Sequence, residues 1–207
     1  MKATRSKGPK KTVRLDCGKF LVRTATIDDA SDRWASWMAD PEAVYMLNSP
    51  VQVLKKSDIV SYIQSFDQRS HMLLGIFEKV SGKPLGFLRI DIDHALGRCL
   101  VSMLIGEPEY RNKGVTNAIT VAFRDYFFET LELKTMLATA LLHNRPIIHY
   151  LLKSGFALDK TIERHVKSHS DDAMLDLCFF SLTRDAWRAW KIANLPGPAE
   201  TTPKKSH

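Results

Sequence analysis

The chain has 207 residues, of which 44% are hydrophobic and 26% are charged, proportions that are ordinary for one well-cored globular domain. No apolar run reaches membrane-spanning length, and the basic N-terminus lacks the apolar core of a secretory signal. Three widely separated cysteines, Cys17, Cys99 and Cys178, suit a reducing compartment and do not form the spacing of a structural zinc site. We therefore expect a cytoplasmic protein without a membrane anchor or a metal.

The net charge of +7 comes from the two ends of the chain. Residues 1–14 hold six of the 30 basic residues and no acid, and residues 196–207 hold two basic residues and one acid, so 22 residues of each sign are left between them. We predict a disordered basic arm over 1–14, one folded domain over 15–195 and a disordered tail over 196–207. A neutral folded part argues against a nucleic-acid partner, although the arm leaves a nucleic-acid-associated protein as an alternative.

Apolar periodicity and turn residues divide the folded part into short elements. The predicted strands cover 18–24, 71–79, 84–93, 98–105, 135–140, 160–167 and 173–182. The predicted helices begin near 26, 57, 116, 146 and 183, and residues 42–56 are predicted to be irregular. Hairpins come first and a β-α-β-α order follows. This order predicts an α/β (α+β) fold, with a mixed, mostly antiparallel seven-stranded sheet and helices on both faces.

A short basic loop, Tyr110-Arg111-Asn112-Lys113-Gly114-Val115-Thr116-Asn117, joins a predicted strand to a predicted helix. Such a loop points backbone N–H groups and the positive end of the helix at one spot, which favours a phosphate. Gly114 lets the backbone approach a ligand closely, and Arg111 and Lys113 add positive charge. The loop lacks the Gly-Lys-Ser/Thr of a Walker loop, and a plain turn after a strand is the alternative.

Two motifs, one at the basic loop and one further along the chain, resemble those of the GNAT acyltransferase family. The basic loop is similar to the family's Arg/Gln-x-x-Gly-x-Gly/Ala motif, with Arg111 and Gly114 at matching positions and Thr116 in place of the small third residue. Asn144, followed by a short helix and Lys153-Ser154-Gly155-Phe156, resembles the family's Asn…Glu-Lys-Leu-Gly-Phe. The resemblance is closest to the branch that contains ribosomal-protein and amino-sugar N-acetyltransferases.

The resemblance, which runs over about residues 20–187, implies a GNAT fold and an N-acetyltransferase that moves an acetyl group from acetyl-CoA to a primary amine. Direct attack in a ternary complex is expected, since no activated nucleophile motif is present. The implied acceptor is a small molecule such as an amino sugar, or a protein N-terminus, and a homodimer is left open.

The resemblance also implies which residues bind acetyl-CoA. The loop holds the pyrophosphate, and the pantetheine arm lies where the strand before the loop parts from the strand after it. The implied cofactor-binding residues are Met103, Leu104, Ile105, Arg111, Asn112, Lys113, Gly114, Val115, Thr116 and Asn144. A core strand and a simple helix cap are the alternatives for the first three residues and for the asparagine.

The catalytic groups depart from the family pattern. Relatives place a glutamate where this chain has Leu100, and a serine or a tyrosine where it has Ile147 and Leu151. We predict Asp91 as the base or amine anchor, acting through water, with a surface ion pair as the alternative. We predict Tyr150 as the acid that protonates the departing thiolate, with an exposed tyrosine as the alternative. The apolar replacements also leave open a noncatalytic acyl-CoA sensor.

Overall fold

The structure, a computed structural model, describes residues 11–195; most of the predicted arm and the whole predicted tail lie outside the described residues. The strands are β1 Arg14–Cys17, β2 Phe20–Thr24, β3 His71–Glu78, β4 Pro84–Asp93, β5 Arg98–Ile105, β6 Thr135–Leu141, β7 Ala157–Lys167 and β8 Met174–Thr183. The α-helices are α1 Asp32–Trp37, α2 Pro41–Met46, α3 Lys56–Gln64, α4 Val115–Asp125, α5 Arg145–Lys153 and α6 Arg184–Asn194. A mixed, mostly antiparallel sheet flanked by helices confirms the predicted fold class.

All strands in the described part of the chain belong to one sheet, in the order β1-β2-β3-β4-β5-β6-β8-β7. Neighbouring strands are antiparallel except β5 and β6, which run parallel. The register of that parallel pair joins Arg98, Cys99 and Leu100 to the start of β6. Beyond it the two strands continue to Ile105 and Leu141 without pairing with each other. The sheet is therefore open between β5 and β6.

The sheet has eight strands, one more than predicted, because residues 14–17, at the junction of the predicted arm and the folded domain, form an edge strand. β1 pairs with β2 in an antiparallel hairpin. Just before it Val13 is 2% exposed, and the N–H of Lys11 donates to the carbonyl of Gln68 at 2.9 Å. The predicted boundary of the arm is therefore wrong for residues 11–14. The charge count takes in the basic side chains of Lys11 and Arg14. It carries no information on the burial of Val13, which lies between them.

The first predicted helix is divided into two pieces, and a further short helix follows it. A 3-10 turn, Ile27–Asp29, is closed by the predicted capping box between Thr26 and Asp29. Ser31 then caps α1 by accepting from the N–H of Trp34. Asp40 caps α2 in the same way, so the segment predicted to be irregular begins with a helix. Each break coincides with a residue that favours helix N-caps.

Two hydrophobic clusters lie on opposite faces of the sheet. The larger one joins the sheet to α4, α5 and α6, with Phe123 and Trp187 among its buried side chains. The smaller one packs Trp34 and Trp37 of α1 against the sheet, together with Ile59 of α3. Burial of both tryptophans confirms the predicted core face of α1. These two layers hold α4 and α2 on either side of the opening between β5 and β6.

Candidate active site

The opening between β5 and β6 leads into a cleft of about 790 Å³, a volume in the usual range of ligand pockets. The cleft is lined by β5, β6, the loop before α4, and parts of α2, α4 and α5. It brings together most of the predicted site residues, namely Met103, Leu104, Ile105, Arg111, Asn112, Gly114, Val115, Thr116, Asn144 and Tyr150. Lys113 and Asp91, which were also predicted, are not among the lining residues.

The free edge of β5 forms one wall of the cleft. In an antiparallel pair every second residue of a strand turns its N–H and C=O away from the partner. On β5 these groups face the opening beyond Leu100, where pairing with β6 ends. Leu104 is 5% exposed and packs in the smaller cluster, while it also lines the cleft. The core and ligand roles predicted for this strand are therefore compatible.

The N-terminus of α4 forms the wall next to that edge. Gly114 is the N-cap residue, with φ of +78°, and no side chain in the described chain caps the helix. The first N–H groups of a helix have no partner within the helix, and here they belong to residues that line the cleft. A Cβ on Gly114 would meet nothing within 4 Å, so the left-handed backbone, and not crowding inside the fold, is what favours glycine.

Arg111 ties the end of β5 to the start of α2. Its guanidinium donates to the carbonyls of Ile105 at 3.1 Å and Gly106 at 2.9 Å, and to the carboxylate of Asp40 at 2.5 Å. Burial alone would raise the pKa of Asp40, but the hydrogen bond and charge of Arg111 lower it. Arg111 is thus engaged in bracing the loop, a role that the motif by itself did not indicate.

Glu107 anchors the same loop from behind. Its side chain is fully buried and accepts hydrogen bonds from Arg33, from Nε1 of Trp37 at 2.9 Å, and from Lys83 at 3.0 Å. Burial alone would raise the pKa of Glu107, but these three donors outweigh it and lower the pKa to about 2. The preceding Gly106 lies so close to Trp37 that a Cβ would be 2.1 Å from the indole ring. Glu107 and its donors therefore hold the turn between β5 and the loop.

Tyr150 lies where α5 faces α4. Its hydroxyl is in close contact with Oγ1 of Thr120 and lies 3.5 Å from Nη2 of Arg124. Thr120 donates its own hydroxyl hydrogen to the carbonyl of Thr116 at 2.6 Å. Because that hydrogen is used, Tyr150 is the donor in its contact with Thr120. Tyr150 is therefore a partly buried, hydrogen-bonded member of the cleft wall and not an exposed tyrosine.

Asn144 caps α5 and also lines the cleft. Its Oδ1 accepts from the N–H of Ile147 at 3.4 Å, and its Nδ2 donates to the carbonyl of Met46 at 3.3 Å. The second bond joins α5 to the end of α2. Of the two roles predicted for this asparagine, the helix cap is the one that the geometry displays.

Asp91 does not line the cleft, whereas Tyr150 does. Its carboxylate accepts from Nδ1 of His71 at 2.8 Å and from the guanidinium of Arg89 at 3.0 Å. The ion pair with Arg89 is the alternative that the sequence left open. The structure therefore does not bring the two predicted catalytic side chains together in the cleft.

The side of the cleft where the end of α2 faces β7 and β8 is mostly apolar. Met46, Leu47, Val166 and Leu177 line it together with Asn48. The side chain of Asn48 donates to the carbonyl of Lys167 at 2.9 Å and accepts from the N–H of His169 at 3.1 Å, so it fastens the segment after α2 to the turn between β7 and β8. Glu42 is the one carboxylate among the lining residues of the described chain.

Comparison with known proteins identifies the family. Residues 19–157 match the family described as acetyltransferase (GNAT) domain. The chain belongs to this family. A sequence search of curated proteins finds no match for this GNAT acetyltransferase.

Solved structures of other acetyltransferases share the fold of this GNAT chain. Ribosomal-protein-S5-alanine acetyltransferase from Vibrio fischeri is 15% identical with a TM-score of 0.73, covering 84% of this chain and 98% of that one. A GCN5-related N-acetyltransferase from Brucella melitensis is 16% identical with a TM-score of 0.73, covering 91% and 85%. Spermidine N-acetyltransferase from Vibrio cholerae, in complex with CoA and spermine, is 11% identical with a TM-score of 0.73, covering 82% and 98%. At these identities the likeness concerns the fold.

Several contacts in this GNAT acetyltransferase were not predicted from its sequence. No motif in the sequence pointed to Glu107, Thr120 or Arg124. The spacing of Thr120 and Arg124, four residues apart within the apolar stripe of α4, is a signal that could have pointed to them, because residues at that spacing lie on one helix face.

Over residues 11–195 no helix is long and apolar enough to cross a membrane.

Proposed function

We propose that this protein transfers an acetyl group from acetyl-CoA to a primary amine by direct attack in a ternary complex. The observation that carries the proposal is one cleft bordered by both the unpaired edge of β5 and the uncapped N-terminus of α4. The first offers backbone hydrogen bonds to an extended amide chain, and the second offers a positive helix end to phosphates. Acetyl-CoA carries both features, with its pantetheine arm and its pyrophosphate.

The cofactor residues follow from this placement. The pyrophosphate lies at the N–H groups that follow Gly114, with Asn112 and Lys113 beside it on the loop. The pantetheine arm lies along the β5 residues from Met103 to Ile105, and Asn144 faces it across the cleft. Arg111 contributes by holding the loop in place, as its bonds to Asp40 and two carbonyls support.

The chemistry needs a polarised carbonyl, a neutral amine and a proton for the departing sulfur. N–H groups on the free edge of β5 polarise the thioester carbonyl. The amine nitrogen forms the new C–N bond and gives its proton to water, since within residues 11–195 Glu42 is the one carboxylate in the lining and its side chain is 78% exposed. The C–S bond breaks with its electron pair on sulfur, and Tyr150 supplies the proton.

The lining favours an amine on an apolar or neutral body. Where the end of α2 faces β7 and β8, the lining side chains are apolar or amide groups. Among the described residues, the cations of the whole lining are Arg111 and Arg124, both engaged with protein groups. A polyamine would lack carboxylate partners there, and a phosphate-bearing amino sugar would lack a cation. A protein N-terminus with a small apolar residue or a neutral small amine suits these groups better.

Two measurements test the proposed function. Mass spectrometry of the purified protein under native conditions is expected to show bound CoA or acetyl-CoA. Thiol release from acetyl-CoA is then measured with four acceptors: an alanine-terminated peptide, benzylamine, spermidine and a phosphorylated glucosamine. We expect turnover with the first two and little with the others. Acetyl-CoA binding without thiol release from any acceptor would indicate a noncatalytic sensor, and no binding at all would contradict the proposal.

A further inference from the structure

Arg124 is a buried cation on the cleft wall without a carboxylate partner. It is 2% exposed and lines the cleft. Its guanidinium donates to the carbonyl of Ser154 at 2.6 Å and to the hydroxyl of Ser154 at 2.9 Å. The ring centroids of Phe156 and Trp187 lie 4.8 Å and 5.2 Å from its central carbon. Within residues 11–195 it forms no ion pair with an acidic side chain.

Such a charge is costly to keep. Removing an ion from water costs several kcal/mol even after relaxation. Favourable interactions of the guanidinium with the carbonyl end of α5 and with the aromatic faces offset part of that cost. Burial lowers the pKa of Arg124, yet a guanidinium remains protonated at neutral pH. Because its partners are neutral groups, its positive charge is not cancelled and extends to Tyr150.

Tyr150 is the neighbour of Arg124 that can change its charge in the reaction. Its oxygen lies 3.5 Å from Nη2 of Arg124, a long contact for a hydrogen bond but close for an electrostatic one. If Tyr150 gives its proton to a ligand, the oxygen left behind faces both this N–H and the hydroxyl of Thr120. Both groups can donate to it, since Thr120 can turn its hydrogen from the carbonyl of Thr116.

We infer that Arg124 is a positioning residue for Tyr150, and that its unpaired positive charge stabilises the negative charge shared by the tyrosine oxygen and the CoA sulfur. The inference rests on the proposed function. As the C–S bond breaks, its electron pair goes to sulfur and the proton of Tyr150 moves there, giving the thiol of CoA. Thr120 and Arg124 donate to the phenolate until water returns the proton.

The test measures proton release when CoA binds. Free CoA carries the thiol, acetyl-CoA does not, and both carry the same phosphates. Calorimetry at pH 8 in buffers of different ionisation enthalpy counts the protons released by each ligand. The wild type is expected to release more protons with CoA than with acetyl-CoA, because Arg124 favours loss of one proton from the pair formed by Tyr150 and the thiol.

Three variants separate charge from structure. Arg124→Met removes the charge at similar length and is expected to lose the excess proton release. Arg124→Lys keeps a charge and is expected to retain part of it. Ser154→Ala removes one structural acceptor of Arg124 and is expected to retain all of it. The other titratable groups of α5, Arg145, His149 and Lys153, are the same in every variant, as is Glu42 across the cleft.

A double-mutant cycle gives a second readout with hydroxylamine as a small acceptor. Arg124→Met should lower kcat by roughly tenfold with little change in KM, and by much less in a Tyr150→Phe background, since a residue that acts through another shows non-additive effects. Two outcomes would overturn this inference alone, provided that the wild type binds acetyl-CoA. One is that the wild type releases no more protons with CoA than with acetyl-CoA, and the other is that Arg124→Met keeps the full difference. Failure of the wild type to bind acetyl-CoA would overturn it together with the proposed function.

Discussion

Gly114 has a backbone conformation that serves the fold and an open side that faces the cleft. Its φ of +78° and the absence of atoms within 4 Å of an added Cβ are matched by Gly82, which has φ of +71°, is equally open and lies on the turn between β3 and β4. Placing a side chain at either position strains the backbone by about 1 kcal/mol. The two glycines differ in whether a ligand is expected beside them.

Gly114→Asp should therefore weaken CoA binding by roughly a hundredfold, because a carboxylate about 4 Å from a phosphate is repelled by a few kcal/mol. Gly82→Asp should change stability by a similar amount and leave CoA affinity unchanged. Titration calorimetry and thermal unfolding measure the two effects. Equal CoA affinity in both folded variants would mean that the phosphate does not bind at the N-terminus of α4.

Tyr150→Phe removes one hydroxyl from the cleft wall. We expect kcat to fall by about ten- to a hundredfold while acetyl-CoA affinity stays nearly intact, because a proton donor acts in the transition state. Steady-state kinetics with an active acceptor measures this. The adjacent Leu151, which is 5% exposed, is the control: Leu151→Ala should mainly destabilise, by about 2–5 kcal/mol. Full turnover by Tyr150→Phe would show that another group or water protonates the sulfur.

At the scale of an element, β1 shows how a short strand can escape detection. Its four residues carry too little periodicity to be predicted as a strand, and the strand exists because β2 offers a paired edge. The same applies to α2, whose six residues begin at a capping aspartate followed by a proline. Both elements are too short for their own apolar periodicity to reveal them.

Two truncations test the contribution of β1. Removal of residues 1–14 takes away buried Val13 and the first residue of β1, and it should lower the free energy of unfolding by about 1–3 kcal/mol. Removal of residues 1–10 keeps the bond from Lys11 to Gln68 and serves as the control. Urea unfolding compares the two. The same stability for both would mean that residues 11–14 add nothing to the fold.

At the scale of the whole molecule, Glu107 joins parts of the chain that are far apart in sequence. Arg33 and Trp37 come from α1, Lys83 precedes β4, and Glu107 itself follows β5. Replacing Glu107 should loosen both α1 and the loop before α4. Glu107→Gln should therefore destabilise the protein at neutral pH by about 1–3 kcal/mol, the usual cost of leaving buried donors without their charged acceptor.

The pH dependence follows from the sign of the shift. The pKa of Glu107 is lowered from 4.5 to about 2 on folding, so its stabilisation is complete above pH 4.5 and is lost as the pH falls from 4.5 towards 2. The difference between wild type and Glu107→Gln should shrink over that range in urea unfolding. Glu109→Gln, whose side chain is 50% exposed in the wild type, is the control and should change little. A constant difference from pH 7 to pH 2 would contradict this account.

The sequence by itself determined what depends on near neighbours in the chain. Apolar patterns and turn residues predicted β3, β4 and β5 to within a residue or so, and they predicted the starts of α5 and α6 to within one residue. The loop around Gly114 was predicted as a site because glycine and a helix start stand next to each other. Helix caps, turns and amphipathic faces arise from interactions over a few residues, so a local pattern records them.

The tertiary structure alone decided which side chains meet. Glu107 bonds Arg33 across 74 positions and Arg124 bonds Ser154 across 30, while Asp91 pairs with His71 of the neighbouring strand, outside the cleft lining. These contacts depend on strand register and on the packing of helices against the sheet, where a shift of one residue turns a side chain to the opposite face. No local pattern encodes that geometry, because it arises only when distant segments pack together.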